Sequence, residues 1–413
     1  MKIPIKLLLP IAMGGIYVLA SCPVYAQGWK LTSAPIANWQ CVASSADGNN
    51  LAAAVSGGGI FTSTNSGVNW TSNTVPVGAW SAIACSTNGA KLAAVINGGG
   101  IFTSGDSGKT WRKTGALTKS WTCVAASGDG KTLVGGATGA AIYKSSNFGT
   151  NWTSLSAPIT NWNSIAISSD GSKLVAACSG VIVSPFGNSA SGSVYTSTNS
   201  GTTWRRSSGL PDQAWTLVAA SADGKRLAAS GLVVFLGSVY PSDIHISTNS
   251  GATWNSSGFG IFTDEHVTSI VSSADGNVLM VAKDLFPGSI FGTGGFIFGS
   301  IDGGGTWSSF GSPNLQWASM ACSVGCGKLV ALVNGGGVYT WQYQPVVSLT
   351  SSRNNVLISW LASSLASGFV LEENSSLLST NWTEVTAPVI DVGTNRTVSL
   401  PVPSKNLFYR LKK

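Results

Sequence analysis

The sequence predicts an all-β protein: a seven-bladed β-propeller of four-stranded blades, closed by its own N-terminal strand and followed by a small β-sandwich. Three observations carry this. A turn segment of one pattern recurs six times at a near-constant interval. A second segment, led by tryptophan, recurs between those turns. Only 9% of residues are charged, against 51 glycines and 16 tryptophans, whereas long amphipathic helices would need more Glu, Lys and Leu.

The first element is the turn, here called the box, with the pattern Ser-x-Asp/Asn-x-Gly-x-x-Trp. It occupies Ser63–Trp70, Ser104–Trp111, Ser145–Trp152, Ser197–Trp204, Ser247–Trp254 and Ser300–Trp307. Successive box tryptophans lie 41, 41, 52, 50 and 53 residues apart, a period that identifies a repeat architecture. Within each box the Asp or Asn oxygen accepts backbone N–H groups, Gly supplies a left-handed conformation and Trp buries a large ring. The acceptor is Asp106 and Asp302 in two boxes, and Asn65, Asn147, Asn199 and Asn249 in the other four. Asn keeps the acceptor oxygen, so these residues read as structural.

The second element is a strand beginning at Trp39, Trp80, Trp121, Trp162, Trp215 and Trp317, with Val267 in the corresponding place of the remaining unit. It runs into a turn such as Asp47-Gly48 or Asp129-Gly130, suited to closing a hairpin. A short apolar strand follows, and a third strand enters the next box. Each unit thus holds four strands, A to D, with A innermost and the box joining C to D, which is the signature of a propeller blade. Counting A strands gives seven.

The ends account for closure. The last unit, Trp317–Trp341, lacks a box and a D strand, while Trp29–Trp39 parallels Trp152–Trp162, the D strand leaving the third box. The N-terminal segment therefore completes the last blade and leaves no open edge. The boxes resemble those of the Asp-box (BNR) propellers, which include sialidases, sortilin-type receptors, some endoglucanases and the photosystem II stability/assembly factor. The resemblance covers roughly residues 28–343. It implies the fold; its members do unrelated things, so it implies no activity.

The flanks read as separate pieces. Lys2 and Lys6 precede the apolar stretch Leu7–Ala20, as in a secretory leader. Two cleavage readings stand side by side: after Ala26, in Val24-Tyr25-Ala26, giving a signal of residues 1–26, or before Cys22 in Leu19-Ala20-Ser21-Cys22, a lipobox-like signal of residues 1–21 whose cysteine would carry a lipid anchor. Either places the chain in a secreted or cell-envelope setting, with a membrane contacted only through that anchor. Residues 345–413 alternate in strands at Val356–Trp360, Phe369–Glu372, Trp382–Val385, Thr397–Leu400 and Leu407–Leu411, the pattern of a fibronectin-like sandwich.

In a propeller the A–B and C–D turns share one face, and the B–C and D–A loops the other. Most acidic residues then sort into A–B turns, boxes or the C-terminal module. Asp212, Asp243, Asp264, Glu265 and Asp284 remain, all in or beside B–C and D–A loops of blades 4 to 6, and both histidines, His245 and His266, map there too. The B–C connections are enlarged in the same blades (Ser179–Gly192, Ser230–Asp243, Lys283–Gly295) and carry Phe186, Phe235, Leu236, Tyr240, Phe286 and Phe291. Long loops on a rigid scaffold are where function concentrates. These seven residues are the ligand-binding candidates, and no catalytic residue is assigned.

Exclusions narrow the classes. A sialidase pocket needs converging arginines, but Arg112, Arg205 and Arg206 fall on D strands and Arg226 in an A–B turn. No Gly-x-Ser-x-Gly elbow supports a Ser-His-Asp site. The net charge of +7 is thinly spread, without basic clusters interleaved with aromatics, so no nucleic-acid partner is indicated. No metal and no cofactor are expected: Asp264-Glu265-His266 lacks further ligands. By strand parity, Cys85 could face Cys123 and Cys322 could face Cys41 as two disulfides, or all could pack as small apolar residues. Cys178 and Cys326 suggest no partner. The expected function is a monomeric, non-enzymatic scaffold binding a protein or polysaccharide; the alternative is a secreted glycoside hydrolase, other than a sialidase, at the same face.

Overall fold

The computed structural model describes residues 16–18, 28–180, 192–235, 238–241, 243–260, 265–285, 294–343, 347–351, 355–361, 369–375, 381–393, 395–401, 403 and 407–412. The chain divides into two compact units, Trp29–Trp341 and a second one made of residues 342–413 with residues 1–28. Both are built of strands, and among the described residues no helix is long and apolar enough to cross a membrane. The cleavage motifs ending at Cys22 and at Ala26 lie outside the described residues.

In the first unit every repeat folds as an antiparallel blade of four strands, with one added strand in blade 5. Blade 1 is Trp39–Ser44, Leu51–Gly58, Ile60–Ser63 and Thr71–Ser72; the later blades repeat this order through the inner strands Gly78–Cys85, Lys119–Ala126, Asn161–Ile167, Ala214–Ala220, Glu265–Ser272 and Trp317–Cys322. Blade 7 is completed by Lys30–Leu31, which pairs with Thr340 and Tyr339. Seven inner strands neighbour one another in cyclic order, the last against the first. Blade 5 departs from the expected loop: Leu227–Phe235 continues as a long strand and folds back on Ser238–Pro241 before the outer strands begin.

The core follows from the repeat. Trp39, Trp80, Trp121, Trp162, Trp215 and Trp317 are each at most 1% exposed. Each meets an aromatic of its own third strand edge-on: Phe61, Phe102, Tyr143, Tyr195, His245 and Tyr339. In five of the six the indole N–H donates to a backbone carbonyl, as in Trp121 to Leu117 O at 3.1 Å and Trp162 to Ala140 O at 3.0 Å. These rings are wedges between blades, so they offer no stacking platform to a sugar.

The box turns explain why both hairpin types share a face. In each, the Ser hydroxyl bonds the Asp or Asn oxygen and accepts the Gly N–H, while that oxygen takes a further N–H; around Ser104 and Asp106 these bonds span 2.8–2.9 Å. The residue before the box Gly is also left-handed in all six boxes, at Ser66, Ser107, Phe148, Ser200, Ser250 and Gly303. That conformation turns its N–H onto the A–B turn of the same blade, as from Ser66 to Asn49 O at 2.9 Å and Phe148 to Lys131 O at 2.8 Å.

A closed girdle of backbone hydrogen bonds joins the A–B turns themselves. Ala46 N–H donates to Thr87 O, Thr87 to Gly128, Gly128 to Ser169, Ser169 to Ala222, Ala222 to Ala274, Ala274 to Val324, and Val324 back to Ala46, all at 2.7–2.8 Å. One link per blade, returning to its start, ties the ring at the axis.

In the second unit two antiparallel sheets are formed. One holds Ser348–Ser351, Asn355–Leu361, Asn395–Pro401 and Val389–Val392; the other holds Leu407–Lys412, Val370–Asn374 and Thr383–Glu384. Each has a buried face, with Val356, Ile358, Trp360 and Val398 in the first and Leu371 and Tyr409 in the second. Ile16–Val18, inside the stretch read as the leader's apolar segment, runs parallel to Leu407–Tyr409 at an edge of the second sheet.

Candidate functional site

The B–C and D–A ends of blades 4 to 6 give the candidate residues sharply different surroundings. Asp243 is tied up by a turn. Its carboxylate accepts N–H groups from Ile244 at 2.7 Å, Gly258 at 2.9 Å and Phe259 at 3.0 Å, and the Ser256 and Ser257 hydroxyls. A carboxylate filled with backbone donors holds the segment that follows the fourth strand of blade 5. His245 occupies the third-strand aromatic position, edge-on to Trp215 with centroids 5.4 Å apart, where other blades carry Phe or Tyr. Both residues therefore do structural work that the repeat itself explains.

Blade 6 departs from the repeat at its core. Val267 stands in the tryptophan position, and the volume is refilled from two sides. Phe259 enters from the preceding D–A segment and packs on Phe298 and Trp307, with centroids 5.5 and 4.6 Å apart. Lys283, the cross-strand partner of Val267, is buried with its ammonium over Phe259 and Phe298 at 5.1 and 4.6 Å and 2.6 Å from Glu265 Oε2. At the equivalent place opposite the tryptophan, other blades carry Val55, Ile96, Ala137, Cys178, Gly231 and Val333. The ion pair is thus the local substitute for an indole, and Glu265 is committed to it.

His266 pairs across the strands with Asp284, and Glu265 with Leu285. Neighbouring residues on a strand point to opposite faces, so Glu265 and Asp284 face away from each other. Burial holds the His266 imidazole below its ordinary range, although Asp284 pulls it up. Burial likewise pushes Asp284 up, opposed by the Leu285 N–H and by His266. This pair is half-buried. Asp264 lies outside the described residues, as do Phe186, Leu236, Phe286 and Phe291 and the side chains of Phe235 and Tyr240.

Blades 4 and 5 meet at a second polar group. Arg206, on the outer strand of blade 4, donates through Nε to Ser193 Oγ at 2.7 Å and lies 3.3 Å from the exposed carboxylate of Asp212. Beside it, Gln213 is 1% exposed, and among the described residues neither end of its amide has a hydrogen-bond partner. Gly231 makes room for it: a Cβ there would stand 2.8 Å from Gln213 Nε2. Neither Gln213 nor Lys283 was among the residues expected from the sequence. Lys283 was detectable as a charge opposite a missing tryptophan, whereas nothing in the sequence separates Gln213 from an ordinary loop glutamine.

The cysteines lie on the other sides of their strands from those that the two disulfides would need, and pack among apolar residues instead. Cys85 directs its thiol to Ser44 O of blade 1 at 3.0 Å, and Cys322 to Ser272 O of blade 6 at 3.7 Å. Cys85 thus turns away from Cys123, which packs with Trp162 and Cys178, and Cys322 turns away from Cys41. The handedness with which blades follow one another decides this, and parity along a strand does not contain it. Among the described residues no group of three or more His, Cys, Asp or Glu could hold a metal ion.

No protein-family model and no curated protein matches this chain. Solved structures do match in fold. A GH74 xyloglucanase from Xanthomonas campestris aligns with TM-score 0.58 and 13% identity over 81% of this chain and 60% of its own. YCF48 from Cyanidioschyzon merolae aligns with TM-score 0.53 and 15% identity over 76% of this chain and 98% of its own. YCF48 bound to a D1 peptide aligns with TM-score 0.54 and 16% identity over 78% and 99%. The chain spans 60% of the xyloglucanase's length, and at these identities the likeness is one of β-propeller fold.

Proposed function

We propose that this chain is an exported, non-enzymatic binding scaffold that holds a segment of protein or polysaccharide at the B–C and D–A loops of blades 4 to 6. The observation that carries this is Gln213. A buried amide left without a partner costs about 1–3 kcal/mol, and the Gln213 amide has none among the described residues, which suits a donor and acceptor kept for a ligand. The amide matches a peptide group or a sugar hydroxyl pair equally. Neighbouring Arg206 and Asp212 add charged contacts at the rim. Among the structural neighbours, YCF48 is seen bound to a peptide and GH74 enzymes act on a glycan, so both ligand classes occur on this fold.

A hydrolytic reading rests on Asp284, whose proton affinity is raised by burial as a general acid requires. It comes second because glycoside hydrolysis uses a facing carboxylate about 5–10 Å away. Glu265 points to the other side of the hairpin in an ion pair, and Asp243 is filled by turn donors.

The test is a peptide and polysaccharide array probed with the full chain, scored for retention and for cleavage, and repeated with Gln213→Leu and with Asp264, Glu265 and His266 changed together to Ala. Gln213→Leu should keep or raise thermal stability and cut retention by about tenfold, the equivalent of one lost hydrogen bond to a buried group. Cleavage that vanishes with Asp284→Asn would establish the hydrolase instead. A ligand retained equally by all variants would move the site off these blades.

A further inference from the structure

We propose that Cys322 and Cys326 are joined by a disulfide that closes the inner hairpin of blade 7. The other six blades build this turn in one way. A Ser hydroxyl bonds the side-chain oxygen two residues on, from Ser45 to Asp47, Ser86 to Asn88, Ser127 to Asp129, Ser168 to Asp170, Ser221 to Asp223 and Ser273 to Asp275, at 2.5–2.8 Å. The residue after that acceptor is always Gly, with φ between 62° and 77°.

Blade 7 keeps the turn and changes both residues. Ser323 still accepts the Lys328 N–H at 3.0 Å, and Cys326 N–H still bonds Ser323 O at 2.8 Å. In place of the acceptor stands Gly325, which has no side chain, and in place of the glycine stands Cys326 at φ 54°. The turn has thus lost its side-chain clasp and taken on a residue that resists left-handed backbone. That same conformation brings Cys326 Sγ to 2.6 Å from Cys322 Sγ, against about 2.0 Å for a disulfide bond. A covalent clasp here replaces the missing Ser–Asp clasp and offsets the strain. It brackets Val324, whose N–H and carbonyl are two links of the axial girdle, in the blade that is otherwise closed only by the N-terminal strand.

The chemistry is thiol–disulfide exchange. Cys326 is fully buried and Cys322 is only partly so. The Cys322 thiolate attacks one sulfur of an external disulfide, releasing one thiol and leaving a mixed disulfide. Cys326 then attacks the Cys322 sulfur and releases the second thiol. Two protons and two electrons pass from the protein thiols to the oxidant, which leaves as two thiols. In an oxidising compartment the product persists.

Tryptic peptide 284–328 contains these two cysteines and no other, so the bond can be read directly. The full chain is treated with glutathione disulfide under native conditions, alkylated without reduction, digested and weighed. The expected peptide is lighter than the dithiol by two hydrogens and carries no alkyl group, then gains two alkyl groups once reduced. The oxidised chain should melt above the reduced one. A Cys326→Gly chain, which restores the glycine of the other blades, should melt at one temperature with or without dithiothreitol. Two alkyl groups without reduction, or a stable glutathione adduct on Cys322, would overturn the proposal.

Discussion

The buried tryptophan wedges set the stability of the propeller, and Trp121→Ala measures one of them. Trp121 is 0% exposed, donates its indole N–H to Leu117 O at 3.1 Å, and packs on Tyr143 and Trp152 with centroids 5.5 and 6.4 Å away. An indole buries about 150–250 Å², which at ~25 cal/mol per Å² gives an upper bound of about 4–6 kcal/mol. Large-to-small changes in cores cost about 3–5 kcal/mol, so about 4 kcal/mol is expected. For a unit of the length Trp29–Trp341, an unfolding entropy of about 2.1 cal/mol/K per residue sums to about 0.65 kcal/mol/K. Trp121→Ala should therefore lower the Tm by about 6 °C in scanning calorimetry. Val68→Ala, at a side chain 65% exposed, serves as the control and should leave it unchanged. A fall of less than about 2 °C, or loss of ligand retention at an unchanged Tm, would refute the reading of these rings as wedges and restore them as a binding surface.

Two further outcomes follow from the charged groups. Thr110, through its hydroxyl and its N–H, and the Ser104 hydroxyl hold the Asp106 carboxyl down at about 2; for Asp302, burial pushes upward, but the Thr306 N–H and the Ser300 and Thr306 hydroxyls prevail and also hold it at about 2. Both lie below the unfolded value of about 4, so their contribution is present above that pH and lost as pH falls towards about 2. Changing both to Asn, the residue at the other four boxes, should flatten the fall of Tm over that window. In the second unit, burial raises Glu372, but Arg410 at 2.6 Å and Lys412 at 3.0 Å outweigh it and hold the carboxylate low. Glu372→Gln leaves the two cations side by side and should cost about 2 kcal/mol, between an exposed pair and the about 3–5 kcal/mol of a fully buried one, because both cations are part-exposed. Amide exchange along Val370–Asn374 and Leu407–Lys412 should then quicken by about 30-fold.

The blades could be read in advance because each box and each A–B turn is closed by residues within a few positions of one another. Ser104, Asp106 and Gly108 form their bonds inside one short segment, so their spacing alone announces the turn. Closure by Lys30–Leu31 was equally legible, since Trp29–Trp39 repeats the phase of a D strand and the last blade lacks one. The candidate site was not. Asp243 and His245 share its loops with Asp284 and His266, yet the first two are spent on a turn cap and a core ring. Loop location places a carboxylate near a face; which donors reach it depends on contacts made across the blade.

Sequence by itself determined the all-β class, the blade repeat and the strand that closes the ring, because these rest on local turn chemistry and on periodicity. Only the tertiary structure decided the side to which each cysteine turns, the pairing of Lys283 with Glu265, the burial of the Gln213 amide and the girdle from Ala46 to Val324. All four depend on which blade stands beside which and with what handedness. Those contacts join residues far apart in the chain, and no local spacing encodes them.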